Sequence, residues 1–212
     1  LEIAATLMTK GLTTYYLLEQ TYKVKSGDTI LFHAAAGGVG QIFGQWAKSL
    51  GCNVIGTVGS DEKIEIAKKF GCHHVINYSK EDFQKKVMEL TNEEGLPVVY
   101  DGVGKVTMEK SLGCLKMRGT FVSFGNASGK LDPLDVGKLI APKGLYLTRP
   151  SIAHYTATRK ELDEAANKLF EMVKTKKVNV DIFKKYYLKD VVNAHKDLEG
   201  RKIIGPAIIV PN

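Results

Sequence analysis

Cysteine is scarce in this chain of 212 residues: only Cys52, Cys72 and Cys114, far apart and without a CxxC pair. That excludes a disulfide framework and a structural zinc site of Cys-rich spacing, and the expectation is a reduced, cytoplasmic protein. No apolar run approaches the roughly 20 residues of a membrane span, so no transmembrane helix is expected. The first residues lack the basic-then-apolar pattern of a secretory leader. The chain has no internal repeat and no low-complexity tract, and its composition of 44% hydrophobic and 25% charged residues is that of a folded globular protein. It opens at Leu1, without methionine, inside a helical pattern, so a trimmed or partial chain is expected.

Charge of neither sign is missing. Lys and Arg number 30 against 23 Asp and Glu, a formal net charge of +7. A basic balance favours an anionic partner such as nucleic acid, a membrane surface or a phosphate-bearing cofactor. Most of the lysines, however, alternate with acids along helical faces, as in Asp61-Glu62-Lys63 and Lys160-Glu161, which reads as solvated surface. No aromatic RNA-binding motif accompanies them, so nucleic acid is not expected as a partner.

Short β-branched runs alternate with helical patterns. Thr29 to His33, Asn53 to Thr57, His74 to Asn77, Val98 to Tyr100, Thr120 to Phe124 and Leu145 to Thr148 read as strands. Between them, Val39, Ile42, Phe43 and Trp46, then Ile64, Ala67 and Phe70, then Phe83, Val87 and Leu90 fall at helical spacing. Met108, Leu112 and Leu115 predict one more helix, and Ser79 to Asp82 sits where an N-cap belongs. This alternation predicts an α/β fold, a doubly wound parallel sheet of the Rossmann, NAD(P)-binding type, over residues 1–150. Residues 151–212 read differently: a capping box at Thr158 to Glu161 opens an amphipathic helix, and a strand-like Asp181 to Leu188 and an apolar tail follow.

The stretch most informative about chemistry is His33-Ala34-Ala35-Ala36-Gly37-Gly38-Val39-Gly40, set between a predicted strand and a predicted helix. Gly37, Gly38 and Gly40 free the backbone for close approach, and a helix start offers unpaired N–H groups to a pyrophosphate. A plain glycine turn would show the same residues without that context on both sides. A P-loop is excluded, because GxxxxGK[ST] does not occur and Gly125 to Lys130 is one residue short of it. The Tyr-x-x-x-Lys pair of short-chain dehydrogenases is absent from all nine tyrosines. An NAD site places an acid about 20 positions after the glycines. Here Thr57-Val58-Gly59-Ser60 stands instead, followed by Lys63, which favours NADP(H). Asp61 and Glu62 would oppose that preference if they face inward.

The same glycine turn, the opening Gly11-Leu12-Thr13-Thr14-Tyr15-Tyr16-Leu17-Leu18, Val98 to Asp101, Val122 to Asn126, Leu147 to Ser151 and the ending Leu188 to Glu199 together resemble zeta-crystallin-like quinone oxidoreductases. These are zinc-free members of the medium-chain dehydrogenase/reductase superfamily. The resemblance implies hydride transfer from NADPH to a quinone or similar electron-poor carbonyl compound. It places Gly38 and Val39 at the pyrophosphate, and Gly59, Ser60, Lys63 and Tyr78 around the 2′-phosphate. Tyr16, Phe124, Gly125, Asn126, Leu147, Thr148 and Arg149 would line the dinucleotide, with Arg201 approaching from the C-terminal segment. It further implies a homodimer paired through the strand near Leu145 to Thr148, and no metal.

The resemblance also implies an N-terminal GroES-like catalytic domain in full-length relatives, about a hundred residues long, a common domain size. Nothing here matches it. Residues 151–212 are expected to pack on that partner, and the chain alone is expected to bind NADPH but turn over poorly. Gly102 departs from a commoner serine, and Gly205-Pro206 from a commoner Gly-Lys or Gly-Ser. No acid–base residue stands out, since His33, His73, His74, His154 and His195 all have structural readings. The alternatives left open are an enoyl reductase of the same superfamily and a non-catalytic NADPH-binding module.

Overall fold

A computed structural model describes residues 2–200 and 202–211. Six parallel strands form the main sheet: β1 (Thr29–Phe32), β2 (Asn53–Val58), β3 (His74–Asn77), β4 (Leu96–Asp101), β5 (Leu115–Ser123) and β6 (Tyr146–Thr148). Their spatial order is β3-β2-β1-β4-β5-β6, so the chain reverses direction of travel between β1 and β4. In an open α/β sheet that reversal leaves a crevice at the carboxyl ends of the central strands. The expected doubly wound fold is the one observed.

Alternate residues along each strand feed two cores, because successive side chains point to opposite faces of a sheet. Ile30 and Phe32 of β1 and Val54 of β2 pack with α1 (Glu2–Tyr16) and α2 (Gly38–Ser49). Leu31 and Ile55 pack on the other face with α4 (Phe83–Leu90) and α5 (Met108–Gly113). Between β2 and β3 lies α3 (Ile64–Lys69), closed in by Ala67. Two short helices, α6 (Val136–Leu139) and α7 (Ile152–Tyr155), flank β6. Burial on both faces explains why the strands read as apolar runs without polar alternation.

The C-terminal segment divides differently from expectation. The helix α8 (Arg159–Lys174) carries the predicted capping box: Thr158 N–H donates to Glu161 Oε2 at 2.9 Å, and Glu161 N–H to Thr158 Oγ1 at 3.2 Å. Its buried stripe, Ala165 and Leu169, belongs to the same core as α1 and β1, so the boundary expected at residue 150 does not separate it from the sheet. A Cβ on Gly11 of α1 would collide with the Leu169 side chain, so the two helices meet at backbone range. The last pieces, β7 (Lys184–Tyr187) and β8 (Ala207–Val210), pair with each other in parallel, bridged by α9 (Val191–Glu199).

Three local expectations are corrected. Leu115 is not on the helix of Met108 and Leu112; α5 stops at Gly113 and Leu115 starts β5. The cap of α4 is Asp82, which accepts from the Gln84 and Lys85 amides, whereas Ser79 Oγ donates to the Gly59 carbonyl. The sixth strand starts at Tyr146, after a left-handed Gly144 and a buried Leu145.

Because Leu169 is fully buried where α8 packs on α1, Leu169→Ala is expected to destabilise the protein by about 3 kcal/mol. The shift in the urea unfolding midpoint measures it. A change below about 0.5 kcal/mol, the ordinary range for surface positions, would show that α8 is not part of this core.

Candidate functional site

The crevice opens where β1, β2 and β4 end, and the turn from β1 into α2 forms its floor. Ala34 adopts φ +57°, a left-handed conformation that costs an alanine about 1 kcal/mol. The turn is held there by its own backbone: Gly37 N–H donates to Ala34 O at 2.9 Å, and Ala35 N–H to Thr57 O at 3.0 Å. Gly40 lies directly on the Ala35 carbonyl, where a Cβ would clash, so the first turn of α2 can seat closely against the loop. The first amides of α2 have no intrahelical partner, as at any helix start.

A cleft of about 760 Å³ runs from this turn toward the end of β2. Gly37, Gly59, Ser60, Lys63 and Tyr78, all predicted from the sequence, line it together. Tyr78 reaches across so that its hydroxyl sits 3.1 Å from where a Gly59 Cβ would be. Glu62 also lines this end, and Ser60 Oγ donates to Glu62 Oε1 at 3.0 Å. Asp61 is engaged elsewhere: Asn77 Nδ2 donates to it at 2.6 Å, and Lys80 pairs with it. Those two partners hold the Asp61 carboxyl below its ordinary pKa. The opposite wall is the loop after β4, with Val103 and Val106, and Ala127 and Ser128. Ser128 Oγ fastens it by donating to Val103 O at 2.8 Å.

A second cavity of about 460 Å³ adjoins the first at Gly37 and continues over Gly38 toward β8. Lys10 of α1 extends across it, and a Cβ on Gly38 would lie 2.5 Å from Lys10 Cε. Burial lowers the Lys10 pKa from its ordinary value. Lys10 carries no mark in the sequence, because a lysine on a helix gives no sign of which surface it crosses.

The other predicted residues that the structure describes fall outside both cavities. Val39 packs against the main core. Tyr16 is buried, its ring stacked on Tyr155 at a centroid separation of 4.8 Å. Burial raises the Tyr16 pKa, and the nearby Arg149 charge opposes that rise. Arg149 Nη1 donates to Ser123 O at 2.7 Å, which ties the segment after β6 to the end of β5. Leu147 is exposed and Thr148 half-buried on β6. Phe124 lies over Gly102, where a Cβ would come 2.9 Å from the ring, so this chain's glycine fits a place that a serine would crowd. Gly125 packs on the Gly102 carbonyl, and Asn126 is exposed beside it. Arg201 lies outside the described residues, although its neighbours Gly200 and Ile203 line the first cleft.

Beneath the turn lies a fully buried polar network. Asp101, the last residue of β4, accepts at Oδ1 from the Val103 and Gly104 amides at 2.8 and 2.9 Å, and at Oδ2 from Thr107 Oγ1 at 2.7 Å. Ser111 Oγ lies 3.2 Å from Asp101 Oδ2 and 2.8 Å from Thr107 O, both acceptors. Its single hydrogen must serve that side, so at its third contact, 2.9 Å from His33 Nε2, the serine accepts and the imidazole donates. His33 Nδ1 is then the acceptor for the Thr57 hydroxyl at 2.7 Å. The structure thus assigns His33 the Nε2–H tautomer and joins the ends of β1, β2, β4 and α5 in one chain of hydrogen bonds. His33 and Asp101 both appear in the sequence motifs, but their pairing across the fold is invisible there. Among the described residues no group of three His, Cys, Asp or Glu side chains gathers as metal ligands.

The pH dependence follows from His33. Desolvation lowers its pKa below the ordinary 6.5, opposed in part by Asp101. The folded state therefore prefers the neutral ring. This contribution is whole above pH 6.5 and is lost as pH falls below it, where the unfolded chain takes up a proton that the folded one refuses. The urea midpoint should decline between pH 7.5 and 5, and His33→Gln should flatten that slope. An unchanged slope in the variant would place the acid sensitivity elsewhere.

The sequence model of the zinc-binding dehydrogenase family matches residues 38–171. The chain is 48% identical over 208 residues to a 2-haloacrylate reductase of Burkholderia sp, covering 98% of this chain and 62% of that protein. It is also 48% identical over 212 residues to quinone oxidoreductase 1 of Escherichia coli (strain K12), covering 99% of this chain and 65% of that one. A crystal structure of Escherichia coli quinone oxidoreductase complexed with NADPH superposes with a TM-score of 0.95, at 48% identity, over 98% of this chain and 64% of that chain. The chain thus spans somewhat less than two thirds of the length of these relatives. Its strand order and glycine turn agree with the family match, and this chain belongs to the zinc-binding dehydrogenase family.

Proposed function

We propose that this protein is an NADPH-dependent quinone oxidoreductase, and that the cleft between the ends of β1, β2 and β4 holds the dinucleotide. The observation that carries the reading is the convergence of Gly59, Ser60, Lys63 and Tyr78 on the same cleft as the Gly37 turn, with no uncompensated Asp61. The site fits the group: the turn approaches without side chains, α2 presents its amides, and Lys63 and the Tyr78 hydroxyl stand where a 2′-phosphate would lie. NADPH bound there would supply a hydride to an electron-poor acceptor.

The chain's own residues then act by binding and orientation. The start of α2, with Gly38 and Val39, takes the pyrophosphate, and the Lys10 ammonium over Gly38 adds positive charge beside it. Tyr16, Phe124, Gly125, Asn126, Leu147, Thr148 and Arg149 are proposed to line the remainder of the dinucleotide, with Arg201 closing from the C-terminal segment. A quinol anion formed by hydride transfer can take its protons from water.

A second reading, reduction of an activated C=C bond, is favoured by the 48% identity to a 2-haloacrylate reductase. Comparing turnover of a quinone with that of an α,β-unsaturated acid separates the two. A homodimer is proposed as well, with a second copy along β6, where Tyr146 and Leu147 are 62% and 43% exposed at the edge of the sheet.

Calorimetric titration is expected to give NADPH binding tighter than NADH. Lys63→Ala should weaken NADPH about tenfold, as removal of one charge-assisted contact does, while leaving NADH almost unchanged. Equal losses for both cofactors would remove Lys63 from the phosphate site.

A further inference from the structure

The adenosine end of the cleft contains opposed charges. Lys63 and Tyr78 suit a phosphate of charge near −2, yet Glu62 lines the same wall. Asp61, the neighbouring carboxylate, is neutralised by Lys80 and Asn77. Glu62 has no such partner: among the described residues it forms no ion pair, and its one side-chain hydrogen bond is accepted from Ser60 Oγ at 3.0 Å. Lys63 forms no ion pair among the described residues either, so the two opposite charges stand side by side without joining.

We propose that Glu62 is a specificity-determining residue that competes with the 2′-phosphate for the Ser60 hydroxyl and so narrows the preference for NADPH over NADH. The proposal rests on the dinucleotide reading of the cleft. A hydroxyl has one hydrogen to give. A 2′-phosphate entering between Gly59 and Lys63 must take that hydrogen from Glu62 and displace a like charge. A ribose 2′-hydroxyl makes no such demand, because it can itself donate to a carboxylate at this place. One side chain therefore acts in opposite directions on the two cofactors. Glu62 is exposed and can swing toward solvent, so the penalty is the screened repulsion of a surface pair and not exclusion.

Glu62→Gln keeps the side chain's length and removes its charge. Isothermal titration with 2′,5′-ADP and 5′-AMP, and with NADPH and NADH, reads the effect without any turnover. The dissociation constants of 2′,5′-ADP and NADPH should fall about fivefold, the size expected for a surface charge pair, while those of 5′-AMP and NADH hold or rise. The gain should shrink in high salt. In a Ser60→Ala background, which removes the contested hydroxyl, the same substitution should gain less; an equal gain would overturn the competition. Equal shifts for both cofactors, or none, would overturn the role of Glu62 while leaving the dinucleotide site standing. Failure of the unaltered protein to bind NADPH or 2′,5′-ADP would overturn both.

Discussion

Polar atoms buried at the end of a strand need partners or they destabilise the fold, and at the carboxyl ends of β1, β2 and β4 the partners are one another. Asp101 takes the Val103 and Gly104 amides and so fixes the loop that walls the cleft. Through Ser111 and His33 it reaches Thr57, and the backbone oxygen of that same Thr57 receives the Ala35 amide of the glycine turn. The left-handed Ala34 and the tight seat of Gly40 depend on this anchoring, since neither would hold its place on a loop free to relax. Loss of one member leaves the others buried and unpaired, which is why the network constrains the turn more than any single apolar contact near it.

The apolar framework supports the same place from both sides. Phe32 on β1 lies 4.1 Å from Phe43 of α2 and 5.5 Å from Phe124 after β5, measured between ring centroids. Phe43 in turn meets Tyr100 of β4 edge-on at 4.9 Å. This aromatic layer precedes His33 and Asp101 by one residue and so lies on the other face of the sheet, while His33 itself meets Phe83 of the second core edge-on at 4.9 Å. Rigid packing on both faces of the sheet is what lets the strand ends hold the loop site in place.

The legible parts of the sequence are those in which local pattern and global fold agree. Strands such as Asn53–Val58 read correctly because burial on both faces demands an unbroken apolar run. The glycine turn reads correctly because strand, turn and helix are contiguous. Positions 108, 112 and 115 fit a helical stripe, and only the end of α5 at Gly113, with its cap at Cys114, puts Leu115 on β5. The partner of α8 was not legible: Ala165 and Leu169 announce a buried face but not which surface covers it. The tie between His33 and Ser111 spans 78 positions, and a lone histidine at a strand end carries no mark of it.

Net charge was the least informative signal of all, and the structure gives the reason. Many of the lysines sit in exposed pairs such as Lys68 with Glu65, Lys69 with Asp181 and Lys110 with Asp82, each worth little. What matters for an anionic ligand is charge that has no protein partner and faces a cleft. Lys10 and Lys63 meet both conditions among the described residues, at opposite ends of the α2 start. They flank the course that a dinucleotide's phosphates would take, whereas Glu62 sets an opposing charge beside only one of them. On the proposed dinucleotide reading, cofactor choice is decided at the Lys63 end, and pyrophosphate binding at the Lys10 end is common to both cofactors. The two functions of the cleft can therefore vary independently while the buried network that shapes it stays the same.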